Sequence, residues 1–278
     1  MTRKGPREIR GGRRPMGLLS RTIVFSCLLL VAFIIVAPFA YVFVASLQVT
    51  GTSGLSWANW SGLLSTIPMV RDMSNSAILA VGSAGVMVIL ASMAGFAFAK
   101  LRFPGSQALL FYCIGTITVP VIAVIIPEYV NFSKVGLLNT YYGTILVYVA
   151  FNLGLCVFFF TSYFRSLPDS LVESALVDGA SYLKTYFRIM LPMAVPAVIT
   201  VGVLMFILVW NDLLVALLFM PGLDTRTIGV ALATLTSQHS NNLGAVTAGA
   251  LVSAVPTVLV YSFFQRYLVT GVTMGAVK

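Results

Sequence analysis

Long apolar stretches dominate the chain and alternate with short polar segments. Six of them reach about 20 residues, the length at which an α-helix crosses a lipid bilayer. They cover residues 22–47, 76–99, 108–130, 142–163, 193–219 and 245–264. Because a bilayer core holds no water to bond free backbone groups, a spanning stretch must be helical or part of a closed barrel. The length of these stretches predicts an all-α membrane protein with six transmembrane helices.

Basic residues are unevenly distributed among the seven segments that flank these stretches. Only Arg71, Lys134 and Arg226 of the 17 Lys and Arg residues fall in the second, fourth and sixth segments, and the other 14 fall in the odd-numbered ones. Cytoplasmic segments of membrane proteins carry the excess of Lys and Arg. The distribution therefore predicts a multi-pass protein of the cytoplasmic (inner) membrane with both termini in the cytoplasm.

The chain divides into three predicted parts on this basis. A basic cytoplasmic segment at 1–21 precedes a six-span domain at 22–264, and a cytoplasmic tail follows at 265–278. The first apolar stretch is too long for the apolar region of a cleaved signal peptide, so it is predicted to be a retained span.

Composition narrows the possible functions. The chain is 59% hydrophobic and 9% charged, whereas soluble domains are about 25% charged. Its net charge of +9 lies at the ends of apolar stretches and forms no basic stripe with interleaved aromatic residues, so nucleic-acid binding is not expected. Cys27, Cys113 and Cys156 lie in apolar runs without metal-ligand spacing, and His239 stands alone, so neither a metal site nor a catalytic site is predicted.

The cytoplasmic segment 164–192 is too long for a simple turn. Ser170 and Glu173 have the spacing of a capping box, which predicts the start of a short helix. Gly179 is suited to end that helix, and Ser181 is suited to cap a second one that runs to about residue 190. The segment therefore predicts a helical hairpin on the cytoplasmic side.

Apolar residues recur on both predicted helices of this hairpin at spacings of one, three and four. They are Leu171, Val172, Ala175 and Leu176 on the first, and Leu183, Tyr186, Phe187 and Met190 on the second. An amphipathic hairpin of this kind can lie flat on the lipid surface or insert into a groove on another protein. The residues alone leave both alternatives open.

This segment resembles the EAA loop of permease subunits in bacterial ATP-binding-cassette (ABC) importers. The matching positions are Glu173, Ser174, Ala175, Gly179, Ile189, Leu191 and Pro192. Ser174 departs from the usual alanine but remains small. Further similarity lies in LRFPG after Lys100, in GLLNT at 136–140, in the Trp210-Asn-Asp sequence and in the last fifteen residues. These features resemble the shorter six-span partner of maltose- and glycerol-phosphate-type carbohydrate permeases.

The resemblance implies a type I ABC importer permease fold that forms half of a translocation path for a sugar or sugar derivative. It implies that the loop 164–192 holds coupling helices that dock in a cleft on a separate ATPase. Glu173 would pair with a basic residue there, Gly179 would permit the bend, and Ala175 and Leu176 would enter the cleft. The full set of expected coupling residues is Glu173, Ser174, Ala175, Leu176, Asp178, Gly179, Ile189, Leu191 and Pro192.

The resemblance also implies partners: a second permease subunit, two ATPase subunits and an extracytoplasmic solute-binding protein. A phosphate-binding loop needs Gly-Lys followed by Ser or Thr, and no Gly-Lys dipeptide occurs in the chain. The chain is therefore predicted to be non-catalytic and to hold no cofactor, with ATP and Mg²⁺ bound by the partner ATPase.

Polar residues in the fifth apolar stretch are candidates for the translocation path or its gate. Trp210, Asn211 and Asp212 suit a sugar, which offers hydroxyls and an apolar face, but they equally suit a polar network that breaks the helix. A carboxylate deep in a bilayer costs about 2.5–3.5 kcal/mol on insertion scales, so Asp212 must face protein or water. Gln238, Asn241 and Asn242, in the sixth flanking segment, are candidates to face the binding protein.

Three alternatives remain at this stage. A permease of the same class with a non-sugar cargo has the same loop. A secondary transporter usually shows internal repeats, and no convincing repeat is visible. An intramembrane enzyme needs a metal triad or a nucleophile with its base inside the spans, and the residue types for such a constellation are missing from the stretches.

Overall fold

The computed structural model of the chain describes residues 18–49, 54–238 and 243–276, and these fold mainly into helices. The longer ones are α1 (Leu18–Leu47), α3 (Met69–Lys100), α6 (Tyr141–Ser166), α10 (Val195–Asn211) and α13 (Leu243–Ala276). Between them lie α2 (Ala58–Thr66), α4 (Ser106–Gly115), α5 (Val121–Lys134), α7 (Ser170–Val177), α8 (Tyr182–Thr185), α9 (Leu191–Met193), α11 (Leu214–Phe219) and α12 (Ile228–Gln238). A 3₁₀ turn at Thr116–Thr118 follows α4, and a π-helix at Tyr186–Met190 follows α8.

Four of these helices are long and apolar enough to cross a membrane, and the total rises to six if each of two bent pairs is one span. The all-α architecture expected from the apolar stretches is confirmed, and six spans follow on that second count. The sixth expected span runs past residue 264 without a break, since α13 continues to Ala276. The boundary expected there is therefore not marked by any change in the backbone.

The third expected span, 108–130, is not one straight helix. The segments Ser106–Thr118 and Val121–Lys134 meet at 96°. Pro120 lies at the bend and offers no backbone N–H, and it forces the preceding residue away from helical geometry. Val119 accordingly has an extended backbone, with φ −77° and ψ 116°.

The fifth expected span is broken twice. Its cytoplasmic end bends by 75° between Tyr182–Met193 and Val195–Asn211, and α10 ends at Asn211, before the short helix α11. The expectation of one continuous helix over 193–219 is therefore wrong, and the second break coincides with the polar residues of that stretch.

The packed centre of the protein is the contact of α3 with α6, and α10 covers α3 from another side. Gly95 makes that contact close, because a Cβ atom there would lie 2.6 Å from Phe160 Cβ and 2.9 Å from the Phe160 carbonyl carbon. Small residues let helices approach in lipid, where association depends on close packing. The long unbroken helices α3 and α6 thus form the central pair.

The first helix is held very differently. α1 packs against α13 and α2, but in its most apolar 18-residue window no residue is buried inside the chain. Its last carbonyl groups have a specific partner, since Asn59 Nδ2 donates to Ser46 O at 3.0 Å and to Gln48 O at 2.7 Å. The end of α1 is therefore fixed by α2, while its long apolar surface faces outward.

Candidate coupling loop and gate

The cytoplasmic hairpin predicted at 164–192 is present, but its first helix starts differently. Ser170 already lies inside α7, and Asp169 is the N-cap without a side-chain capping bond. The expected capping box of Ser170 and Glu173 is therefore wrong. The Asp169 carboxylate instead accepts a hydrogen bond from Lys100 Nζ at 2.5 Å, which ties the start of α7 to the end of α3.

Gly179 ends α7 as the sequence predicts. Its φ of +77° is left-handed, its N–H donates to Leu176 O at 3.0 Å, and the Ala180 N–H donates to Ala175 O at 2.9 Å. This pair of bonds is the Schellman motif, which satisfies carbonyls that a helix end leaves free. A Cβ atom at this position would meet nothing within 4 Å, so backbone conformation alone requires glycine.

Changing Gly179 to alanine is expected to loosen α7 without a steric clash. A left-handed L-residue costs about 1–2 kcal/mol, so local opening of the helix should become about fivefold or more easier. Hydrogen exchange of the amides from Val172 to Asp178 measures this opening. Gly179→Asn is the control, because asparagine tolerates the left-handed region. Equal exchange in the alanine and asparagine variants contradicts the expectation.

The second half of the hairpin begins as predicted and then departs from an α-helix. Ser181 Oγ accepts a hydrogen bond from the Lys184 N–H at 3.3 Å and so caps α8. A π-helix follows, a form that occurs mostly as single turns and often at functional sites. Tyr186 and Met190 are buried and Phe187 is exposed, although the rings of Tyr186 and Phe187 touch at 4.8 Å. The apolar residues expected on this helix are therefore divided between the interior and the surface.

The buried face anchors the hairpin to the transmembrane helices. The hydroxyls of Tyr186 and Ser92 share a hydrogen bond of 2.8 Å in the protein interior. The Tyr186 ring lies 5.4 Å from that of Phe96, and both residues of α3 are buried. The hairpin is thus attached to α3 by its second half as well as by Asp169.

The outward face forms an exposed surface that we call the loop patch, defined as Glu173, Val177, Leu183 and Phe187. Val177 is 86% exposed, Leu183 59% and Phe187 53%, and Glu173, one turn before Val177 on α7, is exposed as well. Large exposed apolar side chains are candidates for a surface that another molecule covers.

The other expected coupling residues are divided between the patch side and the interior. Ala175 is only 6% exposed and packs within this chain, and its entry into a partner's cleft stays a prediction. Leu176, Ile189 and Leu191 are half-buried, whereas Ser174, Asp178 and Pro192 are exposed. Val177 is the most exposed apolar residue of the loop, and the sequence analysis did not single it out.

The sequence analysis did not single out the contacts of Lys100, because this residue looked like one more cytoplasmic cation. Its side chain is 2% exposed, and its ammonium also donates to Leu167 O at 2.6 Å. The hydrogen bond and charge of Lys100 lower the pKa of Asp169. The stabilisation from this pairing is present above the ordinary pKa of the carboxyl and is lost as the pH falls through the lowered one.

At the far end of α10, Asp212 organises the break in the fifth span. Its Oδ2 atom accepts hydrogen bonds from the Val215 N–H at 2.9 Å, the Ala216 N–H at 3.4 Å and the Tyr148 hydroxyl at 3.0 Å. A carboxylate at the N-terminus of a helix satisfies its free N–H groups. Asp212 therefore belongs to a polar network that joins α6, α10 and α11.

The two neighbours of Asp212 have separate surroundings. Trp210 is 7% exposed, its Nε1 donates to Ser253 O on α13 at 3.0 Å, and its ring stacks on Phe206 at 5.6 Å. Asn211 is exposed and donates to Ile207 O at 2.8 Å. The indole is thus enclosed among this chain's residues, and Asn211 is the member of the three that is open to the surroundings.

Removing the Asp212 carboxylate is expected to destabilise the protein through α11. Asp212→Ala should cost about 1–2 kcal/mol, the usual value of a lost N-cap, and lower the thermal unfolding temperature in detergent. Tyr148→Phe removes one neutral hydroxyl donor and should cost about 1 kcal/mol or less. If Tyr148→Phe is as damaging as Asp212→Ala, the carboxylate's main partner is the hydroxyl and not the helix end.

At the end of α3 opposite to Lys100, residues 222–227 are fastened to the start of the helix. Asp72 is fully buried, and its Oδ2 accepts from Arg226 Nε at 3.1 Å. Asn75 Nδ2 donates to Asp224 O at 3.0 Å and to Arg226 O at 2.9 Å. Arg71 also pairs with Asp224. Asn241 and Asn242, expected to face a binding protein, lie outside the described residues, and Gln238 is the last described residue of α12.

The sequence and the fold both match known proteins. Residues 87–274 match the family described as binding-protein-dependent transport system inner membrane component. The chain is 32% identical to the trehalose/maltose transport system permease protein MalG of Thermococcus litoralis, over 94% of this chain and 98% of that protein. It is also 32% identical to the trehalose transport system permease protein SugB of Mycobacterium tuberculosis, over 87% and 92%.

A solved structure has the same fold. A chain from the crystal structure of a bacterial ABC transporter involved in the import of the acidic polysaccharide alginate superposes with a TM-score of 0.76. It covers 91% of this chain and 99% of that chain at 22% identity.

Proposed function

Because this chain belongs to the family of inner membrane components of binding-protein-dependent transport systems, we propose that it forms half of the translocation path for a sugar or sugar derivative. The similar proteins of Thermococcus litoralis and Mycobacterium tuberculosis are named for trehalose and maltose transport. Their similarity extends over nearly the whole chain, so it includes the spans and not the loop alone. We therefore expect a carbohydrate cargo.

The observation that carries the proposal is the loop patch. Val177, Leu183 and Phe187 are apolar and exposed, and Glu173, one turn before Val177 on α7, is exposed as well. A groove on an ATPase with a basic residue at its rim fits this chemistry, because apolar anchors supply affinity and a rim charge fixes orientation. Coupling then consists of one two-state element that ATP binding and cargo binding both bias.

The remaining parts of the transporter follow from the same assignment. ATP and Mg²⁺ are bound by two partner ATPase subunits, a second permease subunit completes the path, and an extracytoplasmic binding protein delivers cargo. Both termini lie in the cytoplasm, on the side of the loop patch. The basic residues of the connections support this orientation.

Co-purification tests the assembly. The tagged chain is extracted from its native membrane in mild detergent, its partners are identified by mass spectrometry, and ATP hydrolysis by the eluate is measured. An ATPase and a second permease should be recovered together. Glu173→Ala should reduce the recovered ATPase, whereas Glu128→Ala, the same change on α5, should not. A chain that elutes alone and transports in liposomes without ATP contradicts the proposal.

Uptake tests the cargo separately. Radiolabelled trehalose and maltose are offered to cells that lack this chain and to cells in which it is restored. Loss and restoration of uptake of either sugar supports a carbohydrate cargo. Unchanged uptake of both, with loss of uptake of an amino acid, shows an importer of the same class with a non-sugar cargo.

A further inference from the structure

α3 is the one described span that is both unbroken and fastened by buried charges at its two ends. It has 32 residues and no internal proline, which gives a length of about 48 Å at 1.5 Å per residue. Among the other described spans only α6 is also unbroken and free of proline. α4 and α5 meet at 96°, α10 follows a bend of 75° after Met193, and α1 and α13 each contain a proline.

The inner end of α3 holds the coupling loop. The Lys100 ammonium is enclosed, with its side chain 2% exposed, and it donates both to Leu167 O at 2.6 Å and to Asp169 Oδ1 at 2.5 Å. These acceptors lie directly before α7. A cation at the C-terminus of a helix is also favoured by the helix dipole, so α3 itself stabilises Lys100 in this position.

The outer end of α3 holds the segment 222–227. Asp72 and Arg226 form a buried pair, with side-chain exposures of 0% and 13%. One turn further along α3, Ser76 Oγ accepts the Ile228 N–H at 2.9 Å, and Asn75 binds two carbonyls of the segment. A buried charge is tolerated only when it is paired, so separating Asp72 from Arg226 is unfavourable.

The neighbouring helix reinforces both ends. The Tyr141 hydroxyl at the start of α6 donates to Asn75 Oδ1 at 2.6 Å, and Leu167, whose carbonyl Lys100 binds, follows the end of α6. Between these ends, Gly95 brings α3 into close contact with the backbone of α6. The two helices therefore support each other along their length.

We propose that Lys100 and Asp72 are positioning residues that fasten the coupling loop and the outer segment 222–227 to opposite ends of α3. When the coupling loop is moved from the cytoplasmic side, the segment 222–227 moves with it. The distance between the loop and that segment therefore does not change. This rests on the function proposed above, which supplies the ATPase that moves the loop. Lys100 and Asp72 touch neither cargo nor nucleotide, and they act through the segments that they hold.

A distance measurement within one chain tests this directly. Spin labels are placed at Ser170, which is exposed at the start of α7, and at Leu223, which is 70% exposed. The native residues Cys27, Cys113 and Cys156 are first changed to alanine. Pulsed electron paramagnetic resonance then gives the 170–223 distance in the assembled complex, without nucleotide and after trapping with ATP and vanadate.

We expect the same 170–223 distance in both states, to within about 2 Å, which allows for small adjustments in packing. A change of about 5 Å, the shift of one helical turn, overturns the proposal. This comparison keeps the Lys100 and Asp72 contacts intact, and ATP hydrolysis by the labelled assembly checks that its cysteine substitutions leave the chain folded. If the assembly hydrolyses ATP but its 170–223 distance changes by about 5 Å, only this inference is refuted. A chain that recovers no ATPase refutes the proposed function and this inference together.

Variants assign the effect to the named residues. Lys100→Met should make the 170–223 distance nucleotide-dependent or broaden its distribution, and Lys100→Arg should restore the wild-type result because it keeps the positive donor. Arg165→Met is the matched control, since Arg165 is an exposed cytoplasmic cation without an ion pair among the described residues. Asp72→Asn should act like Lys100→Met from the outer end. A narrow, unchanged distance in Lys100→Met and Asp72→Asn removes these residues from the proposed role.

Discussion

Val177→Asp is expected to remove the ATPase from the purified complex almost completely. Val177 is the most exposed member of the loop patch, at 86%, so a partner that covers the patch must bury the new carboxylate. An unpaired charge in an interface costs several kcal/mol, and each 1.4 kcal/mol weakens binding about tenfold. The recovered ATPase per tagged chain, measured by quantitative mass spectrometry, should fall by about a hundredfold or more.

The matched control for this change is Val70→Asp. Val70 is 82% exposed and lies at the start of α3, at the opposite end from the coupling loop. The same substitution there should leave ATPase recovery unchanged, which separates a lost interface from a general effect of added charge. Full recovery of the ATPase with Val177→Asp places the docking surface elsewhere on the cytoplasmic side.

Gly95→Ala and Gly85→Ala are expected to change stability in opposite directions, although both glycines lie on α3. A methyl group at Gly95 would lie 2.6 Å from Phe160 Cβ and 2.9 Å from Thr161 N, so α3 and α6 must separate. Overpacking of this kind costs about 1–3 kcal/mol. A methyl group at Gly85 meets nothing within 4 Å, and alanine is the better helix former by about 1 kcal/mol.

Thermal unfolding of the two variants in the same detergent measures this difference. Gly95→Ala should unfold at a lower temperature than the wild type and Gly85→Ala at an equal or higher one. Two variants with the same unfolding temperature contradict the close packing of α3 on α6. Further enlargement to Gly95→Val should lower the temperature again, because the backbone atoms of α6 cannot move aside as a flexible side chain would.

Local signals in the sequence were read correctly where they depend on neighbouring residues. Apolar length predicted the spanning helices, Ser181 predicted the cap of α8, and Gly179 predicted the end of α7. The breaks were also accessible in part, because Pro120 and the Trp210-Asn-Asp sequence mark two of the three positions where a continuous helix fails. The angle of each bend depends on packing, which a single sequence does not contain.

Long-range contacts account for what the sequence did not reveal. In the sequence, Asp72 looks like a solvated residue of an outer segment. Its partner Arg226 follows 154 residues later, beyond the fifth span, and only the fold brings the two together. Lys100 is equally consistent with simple orientation in the membrane, and its burial depends on the carbonyl and carboxylate that follow α6. Within the π-helix Tyr186 is buried and Phe187 is exposed, and residue spacing gave no sign of that difference.

The outward surface of α1 has a consequence for how the protein is made. α1 packs against α13, which begins about 200 residues later in the chain. At about 5–20 residues per second during synthesis, the first helix waits roughly ten to forty seconds in the bilayer for that neighbour. Lipid tolerates this delay, since an apolar helix gains no hydrophobic free energy by leaving lipid for another helix. A ribosome that stalls before α13 therefore leaves an inserted α1 whose only described helix partner is α2.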